Sequence, residues 1–289
     1  MRSWEGVKIR LRREIWFFLN NVLAFIMRGF VTLLSYRVLL ALTMVNIILG
    51  IATFYFFCDF YLKTGVVKEA LLIYGGNPIA FIMLGTVFQD FVNLGLTSFN
   101  KAISREQVEG TLEFLLLSPT KLFTILVCES IWNTMLTSIG AVLGLAITVY
   151  VFGVNLSNAN YASCMVILAL LILSMSGIGM ISAGIVLVTK QGDPIAWLFG
   201  YLIGLLSGML YPVEALPPIL QQIAYMIPVT YAMRSARLTL LKGYTLFHPV
   251  ISYDATILLI SALITIPLGA ITFKLGFKKA RIDGSLGEY

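Results

Sequence analysis

The chain has 289 residues, of which 59% are hydrophobic and 12% charged, with a net charge of +6 and a mean hydropathy of +0.92. Soluble domains carry about 25% charged residues, so this composition excludes an ordinary soluble globule and indicates an integral membrane protein built as one helical bundle. The positive balance does not point to nucleic acid, because the basic residues cluster beside apolar spans, as the positive-inside rule predicts.

Residues 4–19 carry Lys8, Arg10, Arg12 and Arg13, while Trp4, Val7, Leu11, Ile15 and Phe18 recur at helical spacing. That pattern predicts a basic amphipathic helix lying in the membrane interface, although 8–12 also alternate as a strand would. Residues 22–36 are apolar but hold Arg28, and an arginine at mid-membrane costs roughly 2.5–3.5 kcal/mol. We therefore expect a second interfacial helix there rather than a crossing. No small-residue cleavage site follows an apolar core, which argues against a cleaved signal peptide.

Residues 38–57 are free of charge and about 20 long, the length that spans a bilayer, and form the predicted first span. Asp59, Lys63, Lys68 and Glu69 follow in an external loop, ending in the turn signal Gly75-Gly76-Asn77-Pro78. The second span is predicted over 79–99 and bears Gln89, Asp90 and Asn93 on one polar face. Ionisable groups inside spans face a bundle interior or a watery path. For Asp90, with Asn93 beside it, three roles stand open: a structural hydrogen bond, a pore-facing role, or proton coupling.

Residues 106–119 are the one compact acidic block. Glu106, Glu109 and Glu113 fall at i, i+3 and i+7 and share a face on a helix, with Leu112, Leu115 and Leu116 on another. Ser118-Pro119 ends this predicted short amphipathic helix. Between two spans it is either a solvated loop or a docking element for a cytoplasmic partner. The third span, 122–152, is longer than a bilayer needs. It holds Glu129 near its start, where pairing with a neighbour at the cytoplasmic end is expected. A short turn at 153–160 leads to the fourth span, 161–188, and Lys190-Gln191-Gly192-Asp193-Pro194 form a cytoplasmic turn.

The fifth span is predicted over 195–211. Its Gly200, Gly204 and Gly208 let a backbone approach a neighbour closely, either inside the bundle or at a seam along the pore or with a second copy. Three prolines, Pro212, Pro217 and Pro218, then break the helix. Residues 219–226 are apolar but too short to span, and Pro228-Val229-Thr230-Tyr231, Arg234, Arg237 and Lys242 follow. The sixth span is predicted over 252–273, kinked at Pro267, with Lys274, Lys278, Lys279 and Arg281 anchoring a tail. Tyr211, Tyr225, Tyr231, Tyr244 and Tyr253 form an interfacial aromatic belt or guide a substrate at the outer gate.

Two of these stretches resemble one family. Glu109-Gly110-Thr111-Leu112-Glu113 running to Ser118-Pro119 after the second span, and Gly208 through Tyr211-Pro212 and Leu216-Pro217 to Pro228 and Thr230, are similar to the membrane subunits of ABC-2 type exporters. Drug, nodulation-factor and polysaccharide exporters belong to that family. The resemblance implies that Glu106, Glu109, Gly110, Thr111, Leu112 and Glu113 form a coupling helix seated on an ATPase subunit. It implies that the N-terminal helices form an elbow. It also implies that Tyr211, Pro212, Glu214, Leu216, Pro217, Pro228, Tyr231 and Arg237 belong to re-entrant helices covering the outer end of the pore, with Arg237 and Gly243 matching the family's arginine and glycine. Irregular backbone at membrane depth survives only inside protein or along a cavity, which is consistent with that placement.

The expected fold is thus all-α: interfacial helices over 1–37, a six-helix transmembrane domain over 38–275, and a cytoplasmic tail over 276–289. About 15 of the 20 basic residues fall on the side of both termini, which places the termini and the acidic block in the cytoplasm of a multi-pass protein of the cell inner membrane. No G-x-x-x-x-G-K-[ST] is present, so ATP and Mg are expected on a separate nucleotide-binding ATPase, in two copies, beside a second permease copy or a paralogue. Membrane lipid is the remaining partner. Cys58, Cys128 and Cys164 lack ligand spacing, His248 has no partner for metal or nucleophilic chemistry, and no catalytic or metal residue is expected. The competing expectation is a proton-coupled secondary transporter using Asp90 and Glu129, though no inverted repeat supports it. An amphipathic or hydrophobic compound, drug-like or lipid-like, is the first expected substrate, and a lipid-linked glycan the next.

Overall fold

The computed structural model describes residues 2–35, 71–108, 110–111, 122–189 and 193–283, with isolated positions between them. These hold eight α-helices and no strand. The predicted first span (38–57), the charged loop at 59–69, and Glu109, Leu112 and Glu113 lie outside the described residues.

Helix α1 spans Arg2–Ser35 without a break. The two amphipathic pieces expected at 4–19 and 22–36 are therefore one helix, whose part Trp16–Ser35 is itself long and apolar enough to cross a membrane. It leans on the third predicted span, Leu122–Tyr150 (α3), where Trp132 meets Phe30 edge-on at 4.9 Å. Helix α2, Pro78–Val108, is the second predicted span. Asn77 caps it, its Oδ1 accepting from the backbone N–H groups of Ile79 (3.0 Å) and Ala80 (3.2 Å). The cap and the proline at the first helical position suit a helix start.

Helix α4, Tyr161–Thr189, is the fourth predicted span. Its Ile167, Leu171 and Met175 recur every turn and are buried with Leu84, Phe88 and Phe91 of α2 in the main core. On its other side runs α8, Pro249–Ile282, against a seam of small residues. Gly177 and Gly184 of α4 face Gly269 and Gly276 of α8 so closely that a Cβ at any of them would strike the opposite backbone. In lipid, where no hydrophobic force drives helices together, such backbone approach and interhelical hydrogen bonds hold the pair. Thr265 donates to the Ser174 carbonyl at 3.0 Å and Ser174 meets Ser261 at 2.7 Å. Pro267 lies inside α8 as expected, but the helix continues to Ile282, so Lys274, Lys278, Lys279 and Arg281 ride on it rather than on a separate tail. The outward face of α8 exposes Leu259, Leu263, Ile264, Leu268 and Ile271, a surface suited to lipid.

The fifth predicted span is corrected. Helix α5 covers only Pro194–Leu206, 13 residues, or about 20 Å, too short to cross a membrane. Gly208 follows at φ 76, a left-handed conformation that ends the helix. A 3-10 turn at Val213–Ala215, then α6, Pro218–Ala224, and α7, Pro228–Leu241, make up the broken stretch read from the prolines, each helix opening on its own proline. Five described helices are long and apolar enough to span a bilayer.

Candidate functional site

The break after α5 leaves carbonyls that no helix satisfies, and such groups need partners when buried. Arg237 of α7 supplies them. Its side chain is 2% exposed. Nη1 donates to the Gly208 carbonyl and Nη2 to the Met209 carbonyl, both at 2.7 Å, and Nε donates to the Phe81 carbonyl at 3.0 Å. The guanidinium lies 3.5 Å from the Phe81 ring centroid. Gly85 makes room for this clamp, since a Cβ there would stand 2.5 Å from Arg237 Nη2. Tyr211 donates to the Leu205 carbonyl. Further along, Tyr231 donates to the Tyr225 carbonyl at 2.8 Å, and Tyr74 donates to Glu214 at 3.3 Å. Pro212 is buried, Pro217 stands at the N-cap of α6, Pro228 opens α7, and Leu216 packs on the small core of Leu206, Val213 and Ala224.

Behind the clamp, Asp254 of α8 is wholly buried. It pairs with Arg234 and accepts from the Ser235 hydroxyl at 2.6 Å. Gly243 ends α7 at φ 70, and a Cβ there would strike the Asn158 carbonyl. Both features explain a glycine at that place.

The polar face of α2 opens on two adjoining grooves. One, of ≈ 300 Å³, lies between α2 and α3 and is lined by Asp90, Asn93, Thr97, Lys101, Asn133 and Thr137, among others. The second, of ≈ 600 Å³, lies between α2 and α5 and is lined by Gln89, Asn93, Trp197, Tyr201, Gly204 and Tyr211, among others. Asn93 borders both. Asp90 and Asn93 are exposed; Asp90 lines the first groove and Asn93 both. Glu129, by contrast, is buried beside Arg105, 3.4 Å away, and lines neither groove.

Among the described residues nothing lies within 4 Å of a Cβ added at Gly200 or Gly204, and Gly208 lies off the helix, so of the two expected roles the seam along the pore or with a second copy stays as the expectation. Close backbone packing inside the bundle is found at Gly177, Gly184, Gly269 and Gly276.

Of the acidic block, Glu106 belongs to the last turn of α2 and Gly110 follows at φ 67, while Glu109 and Glu113 lie outside the described residues. Glu106 is 6% exposed. It pairs with Arg28 of α1 at 2.8 Å and accepts the Thr111 hydroxyl, while the Thr111 N–H donates to the Glu106 carbonyl at 2.9 Å. Arg28, a costly residue in hydrocarbon, is thereby neutralised. Nearby, Asp193 caps α5 through the Ala196 N–H (2.8 Å), accepts from Asn100 of α2 at 2.8 Å, and accepts from the Ser182 hydroxyl of α4.

The ABC-2 type transporter family matches residues 8–241, the stretch from α1 through the clamp. The chain belongs to the ABC-2 type transporter family. It is also 25% identical over 179 residues to the probable multidrug ABC transporter permease YbhS of Escherichia coli, in strains K12 and O157:H7. That match covers 59% of this chain and 46% of the relative, so the chain spans about half the length of the curated relatives it matches. The family is one of multi-pass membrane subunits, which accords with the apolar helices found here. Among the described residues no group of His, Cys, Asp and Glu is placed to hold a metal ion.

Sequence reasoning found Arg237 by resemblance but not its partners. It missed the Asp193 knot and Asp254. The Asp193-Pro194 pair signals a helix start, but Asn100, Ser182 and Arg234 reach these carboxylates only through tertiary packing.

Proposed function

We propose that the chain is the permease half of an ATP-driven exporter, working with a separate ATPase in two copies and a second permease copy or paralogue. ATP and Mg belong to the ATPase. The chain does no chemistry itself. Both termini and the 101–121 linker are cytoplasmic, α5 and the broken stretch after it together carry the chain across the cell inner membrane between α4 and α8, and α6 and α7 re-enter at the outer face. The transported compound is amphipathic or hydrophobic, drug-like or lipid-like, with a lipid-linked glycan next.

One observation carries this reading: the linker that would meet the ATPase is the direct continuation of α2, the helix whose open face bears both grooves. Glu106 ties that end to α1 through Arg28 and to the linker through Thr111. A displacement of residues 109–113 by a closing ATPase is therefore passed to α1 and along α2 to the groove walls. A proton relay needs Asp90 and Glu129 on one path, and the Arg105–Glu129 pair leaves them apart.

The test is charge reversal at the linker. Glu109→Lys with Glu113→Lys places like charges at a complementary interface and costs several kcal/mol there, while leaving the spans alone. The expected product is a membrane-inserted permease that no longer co-purifies with, or stimulates, its ATPase. Normal assembly and normal ATP-dependent uptake into inverted vesicles would remove the docking role.

A further inference from the structure

Asp90 stands roughly three turns into α2 from Pro78, well inside the apolar part of the bundle. Among the described residues it has no cationic partner, and it is exposed to the groove between α2 and α3. A carboxylate at that depth is costly unless water or a positive charge meets it. Lys101, the cation of the same groove, sits about three turns further along the helix, too far for a contact. It is exposed, so its charge is screened at the rim.

A second, independent feature lies one residue away. Gln89 is 9% exposed and lines the adjoining groove. Its amide nitrogen donates to Asn93 Oδ1 at 3.2 Å, which leaves the amide oxygen buried without a donor. That oxygen seeks an N–H or a positive centre. Across the same groove, Trp197 and Tyr201 meet edge to face at 4.7 Å and are exposed, presenting the electron-rich faces that attract cations. Asn93 borders both grooves, so carboxylate, amide oxygen and aromatic pair form one continuous wall. Hard metal ions need six or more oxygen ligands, which a lone carboxylate does not supply. The apolar lining of Leu94, Leu136 and Leu205 suits a greasy body around the charge.

We propose that these joined grooves bind a lipophilic cation, with the Asp90 carboxylate as counter-charge, the Gln89 amide oxygen as a second pole, and Trp197 and Tyr201 as the aromatic wall. This rests on reading the chain as a transport subunit and narrows its substrate from amphipathic compounds in general to cationic ones.

The experiment uses two ions of the same shape and opposite charge, tetraphenylphosphonium and tetraphenylborate. The full chain is placed in zwitterionic nanodiscs, and binding is measured by equilibrium dialysis against empty discs. The proposal expects wild type to retain tetraphenylphosphonium, and Asp90→Asn to bind it at least about tenfold more weakly, the factor that about 1.4 kcal/mol represents. Asp90→Glu should recover most of the affinity, and tetraphenylborate should show no binding that depends on residue 90. Equal retention of the cation by wild type and Asp90→Asn would overturn the proposal, as would wild type retaining the borate as well as the phosphonium, or retaining neither. Should Asp90→Asn fail to purify as a single species, the two ions compared on wild type decide alone. ATP-dependent transport is measured separately with the ATPase present. Residue-90-dependent binding without ATP-driven uptake sinks the exporter reading and keeps the site. ATP-driven uptake without charge discrimination does the reverse.

Discussion

Replacing Arg237 with methionine, which fills a similar volume, would open the break after α5. The carbonyls of Gly208 and Met209 then lose their Arg237 donors, and a buried carbonyl left unmet costs about 1–3 kcal/mol. Losing the contact over Phe81 adds about 1 kcal/mol. The Phe81 carbonyl lies inside α2, so its loss weighs less. Methionine also avoids burying a guanidinium, which offsets part of the damage. The net expectation is about 3–5 kcal/mol. In a chain of this size about 2–4 °C of melting temperature corresponds to 1 kcal/mol, so the midpoint should fall by roughly 6–20 °C. Arg237→Lys keeps the charge but not the fork that spans three carbonyls, and should fall between. Scanning fluorimetry of the full chain in one detergent reads both. A methionine variant within about 2 °C of the parent would show that these carbonyls find other partners, and the clamp would lose its structural meaning.

Two further substitutions test the rest of the fold. Asp254→Ala strands Arg234, whose side chain is 25% exposed, and unpairs the Ser235 hydroxyl. Breaking a buried pair costs about 3–5 kcal/mol, and the partial exposure of Arg234 places this one near about 3 kcal/mol; an unchanged midpoint would mean that Arg234 escapes fully to solvent. Gly177→Leu should abolish a monodisperse peak in size exclusion, because a Cβ there already stands 2.5 Å from the Thr265 Cβ, while Gly204→Leu should leave the chain folded. The opposite order would relocate the helix seam.

Much of the architecture was written locally. Runs of apolar residues near 79–99, 122–152, 161–188 and 252–273 predicted α2, α3, α4 and α8, because length and hydropathy alone decide whether a segment suits a bilayer. Prolines at 212, 217, 218 and 228 marked the broken stretch, since each removes a donor and fixes φ. Periodicity decided less. Gly200, Gly204 and Gly208 are evenly spaced, yet Gly208 lies outside the helix and the other two face open space. The seam glycines, Gly177, Gly184, Gly269 and Gly276, sit in two distant segments whose pairing no single window displays. Likewise helical spacing groups Glu106 with Glu109 and Glu113, whereas the described residues show only Glu106 in the last turn of α2 and a left-handed Gly110 after it.

What the sequence determined by itself was the class of the molecule, where its helices start, and that Asp90, Gln89 and Asn93 share a polar face. What only the tertiary structure decided was which charges meet. Arg28 finds Glu106 across 78 residues of chain, Arg237 reaches Phe81 across 156, and Asp90 finds no cation at all among the described residues. Charge and hydrogen-bond partners inside a helical bundle are set by which helix faces pack together, and that choice depends on the summed fit of whole helices rather than on any local run of residues.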